Sequence, residues 1–370
     1  MEMSLPQCPH VPAGARHFRL SGFLVFLIIF VSVIRTENHK DLTRRNTFGM
    51  KVSCERFVEY DSLEDLFSLD FDELPKPLFH MGAGSNLLFT GDWPGTVLHS
   101  GIKFLRPMGF EEDETLVEVG AGAVFDSFVE WACSRGLWGV ENLSLIPGEV
   151  GASAVQNIGA YGVEAKDVIV RVNCFDLELR DMVTFENADC RYGYRTSFFK
   201  EEGKGRYIVT SVLFRLSRKY SPKLDYGNIR AALDGVMPAL PDDVRRAVIG
   251  IRNAKLPDPA VTGSAGSFFK NPVISREHFA RIEAEAGPDV KVPHYDTPEG
   301  VKVPAAWMIE RCGLKGRTLG GAAVYDKQPL VIVNLSGNAS PEEIVSLENQ
   351  VISAVKEKFG VELHPEVEHL

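Results

Sequence analysis

No two of the six cysteines stand in a C-x-x-C arrangement. Cys8, Cys54, Cys133, Cys174, Cys190 and Cys312 are scattered along the 370 residues, and none lies beside a spaced histidine pair. A zinc site or thioredoxin-like motif is excluded on that spacing, and no metal is expected. The chain is also too long and too poor in cysteine for a disulfide scaffold, so reduced thiols in a cytoplasm are expected. Positive charge is in deficit. The formal net charge is -10, a field that repels phosphate backbones and argues against nucleic acid as a partner. An anionic substrate would need a local cluster of Lys and Arg to overcome that field. There is no Walker A sequence, no internal repeat and no low-complexity tract.

A long apolar run is missing too. Phe23 to Ile34 is almost wholly apolar and follows Arg16, His17 and Arg19, but a membrane-spanning helix needs about 20 such residues. No small-x-small cleavage signal follows it. Residues 1–37 are therefore expected to lie outside the fold, either as an upstream extension of the true start or as a short anchor. No membrane partner is expected for the rest of the chain.

The chain as a whole has ordinary globular composition, with 45% hydrophobic and 24% charged residues, and is large enough for two or three domains. Leu63, Leu66 and Phe67 recur at helical spacing. Strands are predicted at Pro77–His80, Leu116–Val119, Val170–Leu179, Tyr207–Leu216 and Leu330–Asn334, and a helix over Asp126–Arg135. Residues 219–245, rich in Pro and Asp, read as an excursion between domains. The best-defined element is the last helix. Ser340 caps it, Pro341 takes its first position and Glu343 completes a capping box. Ile344, Leu347, Val351, Val355 and Phe359 then line one face, and Gly360 stops it.

Two turns, Gly82-Ala83-Gly84 and Gly120-Ala121-Gly122, begin like a dinucleotide fingerprint. Both fail at the third glycine, where Leu87 and Phe125 stand, so a Rossmann fold is excluded. Short glycine turns still present amides that can hold phosphate, and Ser85 and Asn86 add side-chain donors. A third stretch runs from Ile146-Pro147-Gly148 through Gly151, Ala152, Ser153, Gln156, Asn157, Gly159, Ala160, Tyr161 and Gly162. Small residues dominate it, so backbone can pass close to a flat polar ligand and a pyrophosphate.

Taken in order, Asn46-Thr47-Phe48-Gly49, Gly82-x-Gly84-Ser85-Asn86 and Ile146 through Gly162 resemble the FAD-binding half of the UDP-N-acetylenolpyruvoylglucosamine reductase family. Four later segments agree: Cys190 to Ser197, Ala254 to Pro259, Gly263 to Pro272, and Pro365-Glu366-Val367. The resemblance spans Asn46 to Val367. It implies an α+β architecture, a vanillyl-alcohol-oxidase-like (PCMH-type) FAD-binding fold of two subdomains plus an α+β substrate-binding domain. The corresponding boundaries are 38–107 and 108–218 for the FAD half, with 360–370 returning to it, and 219–359 for the substrate domain. Tyr226, in Asp225-Tyr226-Gly227, is similar to a substrate-loop tyrosine of the longer of the family's two forms.

The chemistry that the resemblance implies is reduction of the enolpyruvyl vinyl ether of UDP-N-acetylglucosamine enolpyruvate to a lactyl ether, giving UDP-N-acetylmuramate for peptidoglycan. Noncovalent FAD, reduced by NADPH, passes hydride from N5 to the terminal carbon. Negative charge then spreads from the adjacent carbon into the carboxylate, and a proton lands on that carbon. The protein supplies position and electrostatics. By resemblance, Arg195 pairs with the carboxylate and steadies the developing charge. Glu366 polarises it from the other side, and beside another anion it is expected to carry or share a proton. Ser267 donates the proton. Tyr226, Lys255 and Asn271 are implied contacts to the nucleotide sugar. Tyr194 is either an active-site wall or an ordinary packed tyrosine, and Phe268 and Phe269 read as core. A monomer is expected. Two alternatives stand: an alcohol or sugar oxidase of the same flavin fold, and a noncatalytic flavin or nucleotide-sugar binder.

Overall fold

The computed structural model describes residues 34–110 and 112–370; the apolar segment at 23–34 and the start-site question lie almost entirely outside them. The first strand begins earlier than the sequence suggests. Arg35–Asp41 pairs antiparallel with Ser53–Tyr60, so Arg35, Thr36 and Glu37, expected in the extension, stand opposite Glu59, Val58 and Phe57. That sheet continues through Trp93–Ser100 to Leu78–Met81, both in parallel pairing. Trp93–Ser100 is the central strand that alternation did not reveal. Its residues from Gly95 to Ser100 are all buried, and a strand covered on both faces carries no period-two signal.

A second sheet of five antiparallel strands has Tyr207–Ser217 at its centre, between Ile169–Asp176 and Glu114–Gly120. The helix Phe125–Cys133 packs on it through Phe125, Phe128, Val129 and Ala132. Val58, Tyr60 and Leu98 of the first sheet meet Phe175 and Ile208 of the second in one buried cluster. The first sheet also shares a core with the C-terminal half. Leu42, Phe48, Phe57 and Val97 are continuous with Phe268, Phe269, Ile332, Ile344 and Leu347.

The last helix is as read, Pro341–Phe359, with the Ser340–Glu343 capping box and Gly360 in the left-handed stop at φ 65°. Its buried stripe of Ile344, Leu347, Val351 and Val355 follows from helical spacing alone. The Pro- and Asp-containing segment 219–245 holds a short helix, Ile229–Ala232, and Pro241 opens a longer one running to Lys255. Proline at the first helical position, with Asp242 and Asp243 in the first turn, was the available signal. Helices Arg276–Ala286 and Ala305–Arg311 were likewise unread. Among the described residues, no helix is long and apolar enough to cross a membrane.

Candidate active site

The glycine-rich loops are drawn together by a few specific bonds. Thr47 donates its amide to the Gly84 carbonyl at 3.1 Å and its hydroxyl to the same oxygen at 3.4 Å. Ser85 donates its hydroxyl to the Pro147 carbonyl at 3.1 Å. Val150 and Gly151 donate to the carbonyls of Ala123 and Ala121, each at 2.9 Å. The glycines are needed for this contact between loops. A Cβ on Gly84, whose φ is +65°, would sit 2.1 Å from the Arg45 carbonyl, and one on Gly151 would sit 2.9 Å from the Ala121 Cβ. Gly82 similarly faces Glu149 and Ala152, and Gly148 faces the Ser85 hydroxyl.

Within the small-residue stretch, Val150–Gln156 is helical. Its neighbours Gly159–Ala160 and Val163–Glu164 form a hairpin whose turn residues, Tyr161 and Gly162, have φ of 50° and 79°. The amides of Ala83, Gly84 and Ser85 donate to no described residue. Successive free amides in a glycine turn form an anion-binding concavity, which fits a pyrophosphate there.

Some of the proposed cofactor residues spend their side chains inside the protein. The Asn46 amide bonds Leu42, and its two ends also close the loop back from Met50. Ser153 is buried, with its hydroxyl on the Val150 carbonyl at 2.6 Å. Asn157 caps the helix in the left-handed region at φ 47°. Its side chain donates to Gly193 at 2.8 Å and accepts from the Lys166 amide at 3.0 Å. Asn86 donates to the Glu366 carbonyl at 3.1 Å and accepts the Glu368 amide, tying the chain end to the first loop. Ile146 packs on the core of the second sheet.

The catalytic candidates come together from distant segments. Gly193 and Thr196 pair in both directions, so Tyr194 and Arg195 form a tight turn with Arg195 at φ 58°. A non-glycine residue there is strained, and such strain clusters at functional sites. Arg195 donates from Nη2 to the Gly159 carbonyl at 2.5 Å, and its Nε lies 3.2 Å from Glu366 Oε1. That Nε is buried without a hydrogen bond of good geometry, a donor still available to another acceptor. The Glu366 amide donates to the Phe268 carbonyl at 2.8 Å, and Phe269 pairs with Pro365. Ser267 is therefore one residue from the strand contact that holds Glu366, half-buried and next to Gly266, whose φ is +70°. Phe268 and Phe269 are core, as expected.

Around this centre stand the substrate candidates. Burial raises the Tyr194 hydroxyl above its ordinary range, with Asn271 among its hydrogen-bonding neighbours. Lys302 lies 4.4 Å from the Tyr194 ring centre, a cation–π contact. Asn271 accepts the Ala305 amide at 2.9 Å. Tyr226 stacks on Tyr295 with ring centres 5.2 Å apart. Its hydroxyl is pushed up to about 12 by burial and by Tyr295. Its backbone neighbour Gly227 packs on Tyr161. Lys255 stands exposed at the end of its helix, without an ion pair among the described residues.

Two cations were not anticipated. Burial lowers the basicity of Arg252, which faces Tyr161, Asp126 and Arg195 and leaves its own Nε unpaired. Lys200 donates to Gln156 Oε1 at 2.7 Å, and Gln156 donates to Glu366 Oε1 at 3.3 Å. Lys200 closes the run Arg195-Thr196-Ser197-Phe198-Phe199-Lys200, whose last member carried no distinguishing signal. Arg252, with Lys302 and Lys270 nearby, supplies local positive charge of the kind an acidic protein needs for an anionic ligand.

Residues 71–178 match the FAD binding domain family, which with the glycine cradle makes this a flavoprotein of the PCMH-type α+β fold. Residues 258–370 match the UDP-N-acetylenolpyruvoylglucosamine reductase, C-terminal domain. The UDP-N-acetylenolpyruvoylglucosamine reductase of Bacteroides fragilis strain YCH46 is 48% identical over 332 residues, covering 90% of this chain and 99% of the relative. That of Chromobacterium violaceum is 48% identical over 88% of this chain and 96% of the relative. The chain belongs to the UDP-N-acetylenolpyruvoylglucosamine reductase family. The crystal structure of the Thermus caldophilus reductase, 23% identical, has the same fold, with a TM-score of 0.63 over 91% of this chain and 99% of that one.

Proposed function

We propose that this protein reduces UDP-N-acetylglucosamine enolpyruvate to UDP-N-acetylmuramate in the cytoplasm, with FAD as cofactor and NADPH as reductant, for peptidoglycan synthesis. Family membership supports the reaction. The single structural observation that carries the residue assignment is the approach of Arg195 Nε to Glu366 Oε1, 3.2 Å apart and from segments remote in the chain.

FAD supplies the hydride when bound. Thr47, the amides of Ala83 to Ser85, and the loops at 120–122 and 146–151 would hold it. In this reading residues 38–107 and 108–218, joined by 360–370, form the FAD half, and 219–359 cover the substrate. Arg195 offers its unpaired Nε to the substrate carboxylate as charge develops there. A donor aimed at that charge contributes about 2.7–4 kcal/mol to the barrier. Glu366 polarises the same group, and a proton it carries keeps two anions from facing each other. Ser267 gives its proton to the carbon adjacent to the one reduced, in a site dry enough for a serine hydroxyl to serve. Tyr194, Tyr226, Lys255 and Asn271 position the nucleotide sugar. The loop carrying Tyr226 and its fit over Gly162 favour the longer of the family's two forms. The enzyme acts as a monomer.

Stopped-flow measurement of the two half-reactions tests the assignment. Ser267→Ala is expected to keep NADPH-driven flavin bleaching near the parent rate while reoxidation by the enolpyruvyl nucleotide slows by about a hundredfold or more. Equal losses in both halves would remove Ser267 as the proton donor.

A further inference from the structure

We propose that Lys200 is a positioning residue for the reduction step, fixing through Gln156 which oxygen of Glu366 can carry a proton. This inference rests on the assignment of Glu366 above. A lysine ammonium can only donate, whereas a glutamine amide accepts at one end and donates at the other. Lys200 Nζ stands 2.7 Å from Gln156 Oε1. That bond pins the carbonyl end of the amide to the lysine, so the NH2 end must point the other way. It points at Glu366 Oε1, 3.3 Å off. The same oxygen faces Arg195 Nε at 3.2 Å. Glu366 Oε1 thus accepts from the Gln156 amide and lies beside the Arg195 guanidinium, whose Nε completes no hydrogen bond to it, so a proton placed on it would confront N–H groups instead of an acceptor. Oε2 is left as the oxygen that can hold a proton toward a bound carboxylate.

The surroundings make Lys200 suited to this task. It is half-buried, and burial together with Lys270 and Lys204 lowers its basicity, while Glu368 and Glu366 oppose that shift. Lys204 engages Glu368 at 2.5 Å, and the acceptor of Lys200 is the Gln156 carbonyl. The relay is anchored at both ends. Gln156 is the last residue of its helix, and Ser197, three residues before Lys200, donates to the Val155 carbonyl at 2.6 Å. Without the lysine, the amide can rotate to offer its oxygen to Oε1, and the proton can then settle on the wrong side of the carboxyl group.

The test is a double-mutant cycle on the flavin-loaded enzyme, following reoxidation by the enolpyruvyl nucleotide. Lys200→Met is expected to slow that step about tenfold, the weight of one hydrogen bond to a charged group, with Lys200→Arg recovering most of the rate. NADPH-driven bleaching and flavin content should stay near parent values. In a Gln156→Leu background, Lys200→Met should cost nothing further, because the lysine acts only through the amide. Additive losses, failure of Lys200→Arg to rescue, or a matching loss of flavin would overturn the relay. Glu366→Gln separates the two claims: if it reduces the nucleotide at the parent rate, the role of Glu366 fails first, whatever Lys200 does.

Discussion

The side-chain amide of Asn157 donates to the carbonyl of Gly193 over 2.8 Å, and this bond couples the end of the glycine-rich helix to the turn that carries Arg195. The same side chain accepts from the Lys166 amide and is completely buried. Asn157 thus acts as a bracket beneath Arg195. Asn157→Ala leaves the half-buried Lys166 amide without its acceptor and the Gly193 carbonyl with the Thr196 amide alone, and adds a penalty at φ 47°. Urea unfolding should show a loss of about 2 kcal/mol. Asn157→Gly should recover only the backbone part, about 1 kcal/mol. If glycine restored full stability, the hydrogen bonds would carry no weight.

Gly84 and Gly49 give a controlled comparison within the first loops. Both have positive φ, +65° and +67°, but an added Cβ at Gly84 meets the Arg45 carbonyl at 2.1 Å, whereas one at Gly49 meets nothing within 4 Å. Gly49→Ala should therefore cost only the left-handed penalty, about 1–2 kcal/mol. Gly84→Ala must also push the 82–86 turn away from Thr47 and loosen the Ser85 bond to Pro147. It is expected to purify with much less flavin, read from the ratio of visible to ultraviolet absorbance, while Gly49→Ala keeps parent loading. Equal flavin contents would show that the loop contact does not shape the cradle.

What could be read from sequence follows the range of the forces involved. The last helix was legible to the residue, because capping, periodicity and stop are local and Ser340, Glu343 and Gly360 sit where those rules require. The Trp93–Ser100 strand was not, because its environment on both faces comes from other segments. The ordered motifs gave Arg195 and Glu366, and the fold brings them together. They could not give Lys200 or Arg252, whose significance comes from neighbours remote in the chain. Nor could they distinguish Asn157 and Asn46, which hold backbone, from Thr47 and Ser85, which join loops.

Asp126 offers the pH-dependent counterpart. Its carboxylate accepts from Arg245 at 2.6 and 2.9 Å and from the Leu145 amide at 2.5 Å. It thus ties the helix Phe125–Cys133 to Pro241–Lys255 and to the residue preceding Ile146. Burial disfavours its charge, but the Arg245 guanidinium and the Leu145 amide outweigh that and hold its acidity below the usual carboxylate range. A carboxylate depressed in the folded state adds stability that is fully present above the unfolded value of about 3.9 and is lost as pH falls through the lower folded value. Asp126→Asn, which cannot ionise, removes this contribution and leaves Arg245 without its partner. The expected cost near neutrality is about 2–3 kcal/mol, less than for a fully buried pair. Unfolding free energies of the two proteins should differ by a constant amount from pH 6 to 8 and converge below about pH 4. A difference that persists unchanged into that acid range would mean that the carboxylate's charge contributes nothing, and that the asparagine disrupts packing alone.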